Sequence, residues 1–227
     1  MLDDMSGKNK LAKFRENETF ECLLQPSSDD MLAGNFPMKG RWNAEVFHND
    51  NPIVLELGCG RGEYTVALAE RYPDINYIGV DIKGARLWKG AKYATEHGLH
   101  NVAFLRTRID FIKSAFGPDE VSEIWITFAD PQPKKPGKRL TSPLFLDRYR
   151  AFTKKGAIVH LKTDSVLLHE SSLEVAQSQG LEILECNTDI YGSGRACDPD
   201  DILCVKTYYE QMWLAEGKPI TYLAFRL

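Results

Sequence analysis

The 227-residue chain has no run approaching the roughly 20 consecutive apolar residues that a membrane span requires. Its start, Met1-Leu-Asp-Asp, lacks the cationic and apolar segments of a signal peptide. A cytoplasmic protein with no membrane partner is therefore expected. Its five cysteines (Cys22, Cys59, Cys186, Cys197 and Cys204) are odd in number and include no C-x-x-C pair. That argues against a disulfide framework and against a zinc site. Cys197 and Cys204 lie near Asp198, Asp200 and Asp201 without ligand spacing, so no metal is expected. Internal repeats are also missing. So is an excess of positive charge: 28 Lys and Arg against 32 Asp and Glu leave a formal charge of −4. This excludes recognition of a polyanion through overall charge, but not through a local basic face.

What is present is a chain long enough, at 43% hydrophobic content, to bury one substantial core. Residues 1–40 are polar and irregular. Lys8, Lys10, Lys13 and Arg15 alternate with Glu16, Glu18 and Glu21, which suggests an N-terminal arm, flexible unless a partner orders it. Residues 41–227 form the main domain. Short apolar runs (Ile53-Val-Leu-Glu-Leu57, Asn76-Tyr-Ile-Gly-Val80, Val102-Ala-Phe-Leu105, Ile124 to Phe128 and Gly156 to Leu161) alternate with helical spacing up to Arg71, over 84–97, from Ser142-Pro143 to about Phe152, and over 165–179. That alternation predicts βαβ units, a mostly parallel sheet and helices on both faces. Leu181 to Ile190 and Pro219 to Phe225 are strand-like with no evident helix between them, and an antiparallel edge hairpin is expected there.

The first strand runs into Glu56-Leu-Gly58-Cys-Gly60-Arg-Gly62-Glu63. Glycines at this point allow a sharp turn and close approach of a ligand at a helix N-terminus. About twenty residues later the second strand ends on Asp81, placed to accept from ribose hydroxyls. A dinucleotide fingerprint would need a third glycine where Glu63 stands. A carboxylate two residues before the first glycine repels a pyrophosphate and suits an amino group, as on the methionine end of S-adenosylmethionine. Glu56, Gly58, Gly60 and Asp81 thus read as a methyl-donor site.

A second motif closes the strand at 124–128. Asp130 is followed by Pro131, Pro133 and Pro136 and by the cations Lys134, Lys135, Lys138 and Arg139. Ligands of open α/β sheets bind beyond the carboxyl ends of the strands. A stiff loop there, with one acid and a cation cluster, suits a base and its surrounding phosphates. Cys59, His160 and Trp125 read as packing residues.

Together these motifs resemble the bacterial tRNA (guanine-N7)-methyltransferases over nearly the whole chain. Gly7-Lys-Asn-Lys-Leu-Ala-Lys-Phe14 and Leu24-Gln-Pro26 are similar to that family's arm, and Leu55 to Gly60 to its donor loop. Asp130 to Lys135 with Arg139-Leu-Thr-Ser-Pro143 is similar to its signature loop. Lys162-Thr-Asp164, Thr207-Tyr-Tyr-Glu210 and Gly217-Lys-Pro-Ile220 are similar to its later motifs. The resemblance implies a Rossmann-like class I methyltransferase fold with a seven-stranded, mostly parallel sheet, S-adenosylmethionine as cofactor, and N7 of a guanine in the variable loop of tRNA as target. It implies that Glu56 and Asp81 contact the donor, that Asp130 lies at the reacting centre, and that Lys134, Asp164, Thr207, Tyr208, Tyr209 and Glu210 hold the target nucleotide. Two positions depart from the family's pattern. Gln132 stands where Trp is frequent, and Arg108 stands where an acid is common, with Asp110 two residues on. The donor's adenine side is then left to the backbone around Arg108 or to Asp110.

N7 of guanine carries a lone pair and no proton, so Asp130 is expected to position the base rather than deprotonate it. Lys135, Lys138 and Arg139 are expected to meet tRNA phosphates, and a monomer or homodimer is expected. Two other readings remain open: a methyltransferase for a small molecule or protein, and a non-catalytic RNA-binding protein of the same fold.

Overall fold

Five consecutive buried residues in β2 (Ile53–Leu57) place it in the middle of a sheet covered on both faces. The computed structural model describes residues 11–199 and 201–227. Beside β2 lie β3 (Asn76–Asp81) and β5 (Val121–Thr127), both parallel to it. The full order is β1-β4-β3-β2-β5-β6-β8-β7, with β1 (Leu23–Leu24), β4 (Val102–Arg106), β6 (Thr153–Thr163), β7 (Glu182–Asn187) and β8 (Thr221–Arg226). Among the described strands, β8 alone runs opposite to the other seven, antiparallel to β6 and to β7. The C-terminal ends of β2, β3, β5 and β6 consequently share one edge, and the glycine loop after β2, Asp81 of β3, the loop after β5 and Asp164 after β6 all lie along it.

Strand side chains alternate between two cores. Ile53, Leu55 and Leu57 face one, together with Ile124 and Ile126. Helices α4 (Ile112–Ala115), α5 (Pro143–Arg150) and α6 (Val166–Ser178) cover that face, with Met31 from α1 (Ser28–Ala33). Val54 and Trp125 face the other core, against α2 (Glu63–Arg71) and α3 (Gly84–Glu96). The expected three-layer α/β arrangement is what forms.

Two features differ from the sequence-based expectation. The sheet has eight strands rather than seven, because Leu23 and Leu24 of the arm pair in parallel with Phe104 and Leu105. In the described part of the arm, residues 11–17 are helical, and Phe20, Leu23, Met31 and Phe36 are buried. Its polar side chains make tertiary bonds: Asn17 Nδ2 donates to the Gly84 carbonyl at 2.9 Å, and Glu16 accepts from Trp88 Nε1 at 2.7 Å. Gly7 to Lys10, including Lys8, lie outside the described residues. The tail forms the expected antiparallel edge pair of β7 and β8, but the connection is not helix-free: a further helix, α7 (Tyr208–Ala215), lies between the two strands, and β8 sits between β6 and β7. Thr207-Tyr-Tyr-Glu210 forms a capping box that starts this helix. Thr207 Oγ1 accepts the Glu210 amide at 3.2 Å, and Glu210 Oε2 accepts the Thr207 amide at 3.3 Å.

Candidate active site

The loop after β2 turns through Gly58, Gly60 and Gly62, all left-handed at φ 78°, 58° and 71°. The amides of Gly58 and Cys59 donate to the Val80 carbonyl at 2.8 and 3.1 Å, which folds the loop over the end of β3. A Cβ at Gly62 would stand 2.5 Å from the Phe104 ring, so only glycine admits the close packing of α2 on the sheet. At Gly60 a Cβ would meet nothing within 4 Å, and at Gly58 only Leu140 at 4.0 Å. The backbone there is open to a ligand.

Asp81 ties the loop together. Its Oδ2 accepts the Gly60 amide at 3.0 Å and its Oδ1 the Lys83 amide at 2.7 Å. It lines a cleft of about 360 Å³ with Thr107, Arg108, Ile109 and Asp110, whose apolar walls are Ile82, Leu140 and Phe145. Asp110 pairs with Arg108 at 3.1 Å and Arg148 at 3.4 Å. Burial pushes its pKa up, but the two guanidinium groups outweigh burial and hold it below the ordinary value.

Glu56 lies on the far side of Gly58 in a smaller recess of about 70 Å³. Its Oε2 accepts the Thr65 amide at 2.9 Å and the Thr65 hydroxyl, and its Oε1 accepts the Thr127 hydroxyl. Burial dominates its titration and pushes the pKa up to about 7, against the opposing pull of those hydrogen bonds; the nearby Asp81 charge pushes it the same way as burial. A buried carboxyl with a raised pKa is poised to shift toward its ionised form when a cation arrives. Arg61, Arg86, Phe128, Thr207 and Tyr209 line the same recess. Cys59 is buried beside these acids, and its thiol is pushed well above the ordinary value, first by burial and then by Glu56 and Asp81. It is a packing residue, not a nucleophile.

The signature loop leaves β5 under strain. Phe128 and Gln132 are non-glycine residues at φ 49° and 45°. The Phe128 amide donates to the Lys162 carbonyl at 2.9 Å, and Asp130 Oδ1 accepts the Gln132 amide at 2.9 Å. Asp130 sits exposed on the rim, between Phe128 of the recess and Gln132 of the cleft. Lys134, Lys135 and Lys138 are exposed, and Lys138 also lines the cleft. Arg139 differs from them: half-buried, it donates from Nε to the Pro131 carbonyl at 3.0 Å and braces the loop.

Asp164 lies half-buried just beyond β6. In the segment at the start of α7, Tyr208 and Tyr209 are 46% and 37% exposed, whereas Thr207 and Glu210 are buried. Glu210 faces away from solvent altogether. It pairs with Lys162 Nζ at 2.7 Å and accepts the Tyr191 hydroxyl at 2.7 Å. Composition and spacing had not pointed to Phe128, Thr65 or Thr127, and Lys162 stood out only as part of the Lys162-Thr-Asp164 motif. That the two threonines face Glu56 is set by the fold. Trp125 and His160 are packing residues as expected, stacked with centroids 4.0 Å apart.

Comparison with known proteins converges with this geometry. Residues 50–223 match a family model described as "Putative methyltransferase". The chain is 51% identical to a tRNA (guanine-N(7)-)-methyltransferase of Christiangramia forsetii, over 98% of this chain and 100% of that one. It is 50% identical to the Bacteroides fragilis protein of the same name, covering 97% of this chain and 86% of that one. The Bacillus subtilis protein of that name is 34% identical over 86% of this chain and 93% of its own length. Among solved structures, a 16S rRNA methyltransferase, KamB, superimposes with a TM-score of 0.62 at 14% identity, covering 81% of this chain and 91% of that one. A 16S rRNA (adenine(1408)-N(1))-methyltransferase of Catenulisporales acidiphilia gives 0.57 at 16% identity, covering 81% of this chain and 88% of that one. At these identities the two structures show a shared fold.

Proposed function

The chain belongs to the tRNA (guanine-N(7)-)-methyltransferase family, and we propose that it transfers a methyl group from S-adenosylmethionine to N7 of a guanine in the variable loop of tRNA. One observation carries the reading most directly: the open glycine loop, the buried Glu56 and the exposed Tyr209 meet in a single recess beside the signature loop. Donor chemistry and a base-sized apolar surface thus share one strand edge.

The residues present fit the donor. Asp81 suits a ribose diol, the apolar walls at Ile82, Leu140 and Phe145 suit an adenine, and Glu56 suits an ammonium group. Arg108 and Asp110 border the adenine side, and because Asp110 is already paired with two arginines, the backbone from Thr107 to Ile109 is assigned the adenine edge. S-adenosylmethionine supplies an electrophilic methyl; the protein's part is alignment. Asp130 accepts from the N1–H and N2–H2 edge of guanine and steers N7 inward. Holding two reactants in register contributes on the order of 7 kcal/mol or more in well-oriented cases. Adenine lacks those donors, so the same carboxylate selects guanine.

Tyr209 and Phe128 take over the stacking surface that Gln132 does not offer, Tyr208 flanks them, and Lys134 and Asp164 hold the nucleotide. Thr207 and Glu210 act from below, by building the α7 N-terminus that presents the tyrosines. Lys135 and Lys138 meet phosphates; Arg139 contributes its charge while bracing the loop. Residues 1–40 form the arm and residues 41–227 the catalytic domain. A tRNA substrate supports a cytoplasmic location; separately, no helix among the described residues is long and apolar enough to cross a membrane.

The deciding experiment incubates the protein with labelled S-adenosylmethionine and unmodified tRNA and maps the modified base. N7-methylguanosine is expected. Label confined to protein or small molecules, or no transfer at all, would refute the reading.

A further inference from the structure

Helix α2 carries the glycine loop at its N-terminus and, along its length, holds the segment that leads into α7. At its C-terminal end Arg71 donates to the carbonyls of Pro199 and Asp201, both at 2.8 Å. At its second residue the Tyr64 hydroxyl donates to the Ile202 carbonyl at 3.1 Å. At its first residue, Glu63 Oε2 accepts the Tyr208 amide at 2.8 Å, and the Arg61 guanidinium lies over the Tyr208 ring at 4.6 Å. The donor loop and the tyrosine pair are therefore attached to one strut.

The Glu63 contact is of a particular kind. Tyr208 opens α7, where backbone amides have no partner inside the helix. The capping box satisfies the amides of Thr207 and Glu210, and Glu63, from a different helix, satisfies Tyr208 between them. Its negative charge also sits at the positive end of α7. Lys89 Nζ holds the other oxygen at 2.8 Å. Immediately upstream, Gly60 is fixed by Asp81, the residue assigned to the ribose. A chain of direct contacts thus runs from the ribose site through Gly60, Arg61 and Glu63 to Tyr208.

We propose that Arg61 and Glu63 are positioning residues that register the target-nucleotide segment on the donor loop, so that donor and tRNA bind with positive cooperativity. This rests on the methyl-transfer reading above. Whichever ligand arrives first orders the shared strut, and the second then meets it already ordered; linkage makes the effect reciprocal. A contact that merely capped α7 would alter stability or weaken both ligands without altering the ratio of affinities.

The test titrates S-adenosylhomocysteine into the full chain by calorimetry, alone and in the presence of saturating unmodified tRNA. The wild type is expected to bind it roughly fivefold or more tightly when tRNA is present. In E63A that ratio falls to within about twofold of unity, and in R61A it falls part of the way. E63Q, which keeps an oxygen acceptor for the Tyr208 amide, retains most of it. Because a ratio is read, uniform weakening of the donor site cancels. A wild-type ratio of one overturns the proposal, and so does an E63A ratio equal to that of the wild type. Should E63A lose its cooperative unfolding transition, R61A takes its place, and an unchanged ratio there overturns the proposal equally. Base mapping with the wild type separates the two readings. Absence of N7-methylguanosine ends the reaction assignment, whereas a methylating wild type without coupling ends only this one.

Discussion

Lys162 and Glu210 form an ion pair at 2.7 Å in which neither side chain is exposed. The ammonium also donates to the carbonyls of Leu203 and Val205 at 2.8 and 3.0 Å, so its three protons have three acceptors. Burial pulls the Lys162 pKa down and Glu210 pulls it up, with burial ahead. The pair pins the start of α7 to the end of β6. Lys162→Met strands a buried carboxylate, and a loss of about 3–5 kcal/mol in urea-monitored unfolding is expected. Adding Glu210→Gln removes the stranded charge while keeping a cap for Thr207, and about half or more of that loss should return. Equal stability of the single and double variants would contradict this account.

With Glu56 proposed to hold the donor's ammonium group, its titration predicts a pH dependence of donor binding. Its folded pKa of about 7 lies above the ordinary value of 4.5, so between those values the folded state binds more protons than the unfolded chain. The stabilisation is therefore fully present below pH 4.5 and is lost as pH rises through about 7. A donor carrying an ammonium group favours the ionised form, so its affinity should rise with pH through the same range. Binding near pH 6.5 should release protons, seen as a calorimetric heat that varies with buffer ionisation enthalpy. Glu56→Gln should abolish both effects, and persistence of the proton release would assign it elsewhere.

Asp130→Ala should lower turnover about 10- to 100-fold, the worth of hydrogen bonds to a charged group. Donor affinity should hardly change. Single-turnover kinetics and donor titration on the same preparation check this, and near-normal turnover would remove Asp130 from the reacting centre.

The three exposed lysines and Arg139 should separate in a salt titration. A variant with Lys134, Lys135 and Lys138 all changed to Gln should flatten the slope of log affinity for tRNA against log salt, by about 0.7–0.9 for each phosphate that the wild type neutralises and the variant does not. Arg139→Gln removes a brace on Pro131 as well as a charge, and it should lower turnover beyond its effect on the slope.

Tyr209→Ala should weaken tRNA binding by about 1–3 kcal/mol if its ring stacks on the target base, with Tyr209→Phe close to wild type. Equal losses in both variants would point to the hydroxyl instead.

Much of this molecule was readable before its fold. Periodicity located the central strands and the helices around them, since buried parallel strands are continuous apolar runs and their helices carry a stripe. The glycine loop was legible because left-handed turns demand glycine. The arm was harder to read: Glu16 and Asn17 look like solvated residues until Trp88 and Gly84 are brought beside them. Helix α7 was missed although Thr207 and Glu210 spell its cap.

The βαβ order and the glycine turn follow from the sequence alone, because they depend on residue pattern and on local backbone sterics. Tertiary structure alone decided that Glu210 is buried against Lys162, that Arg139 braces its own loop, and that Phe128 and Tyr209 face one recess with Glu56. Most of those relations join residues tens of positions apart. Burial and partnership are properties of the assembled sheet edge, and no local pattern encodes them.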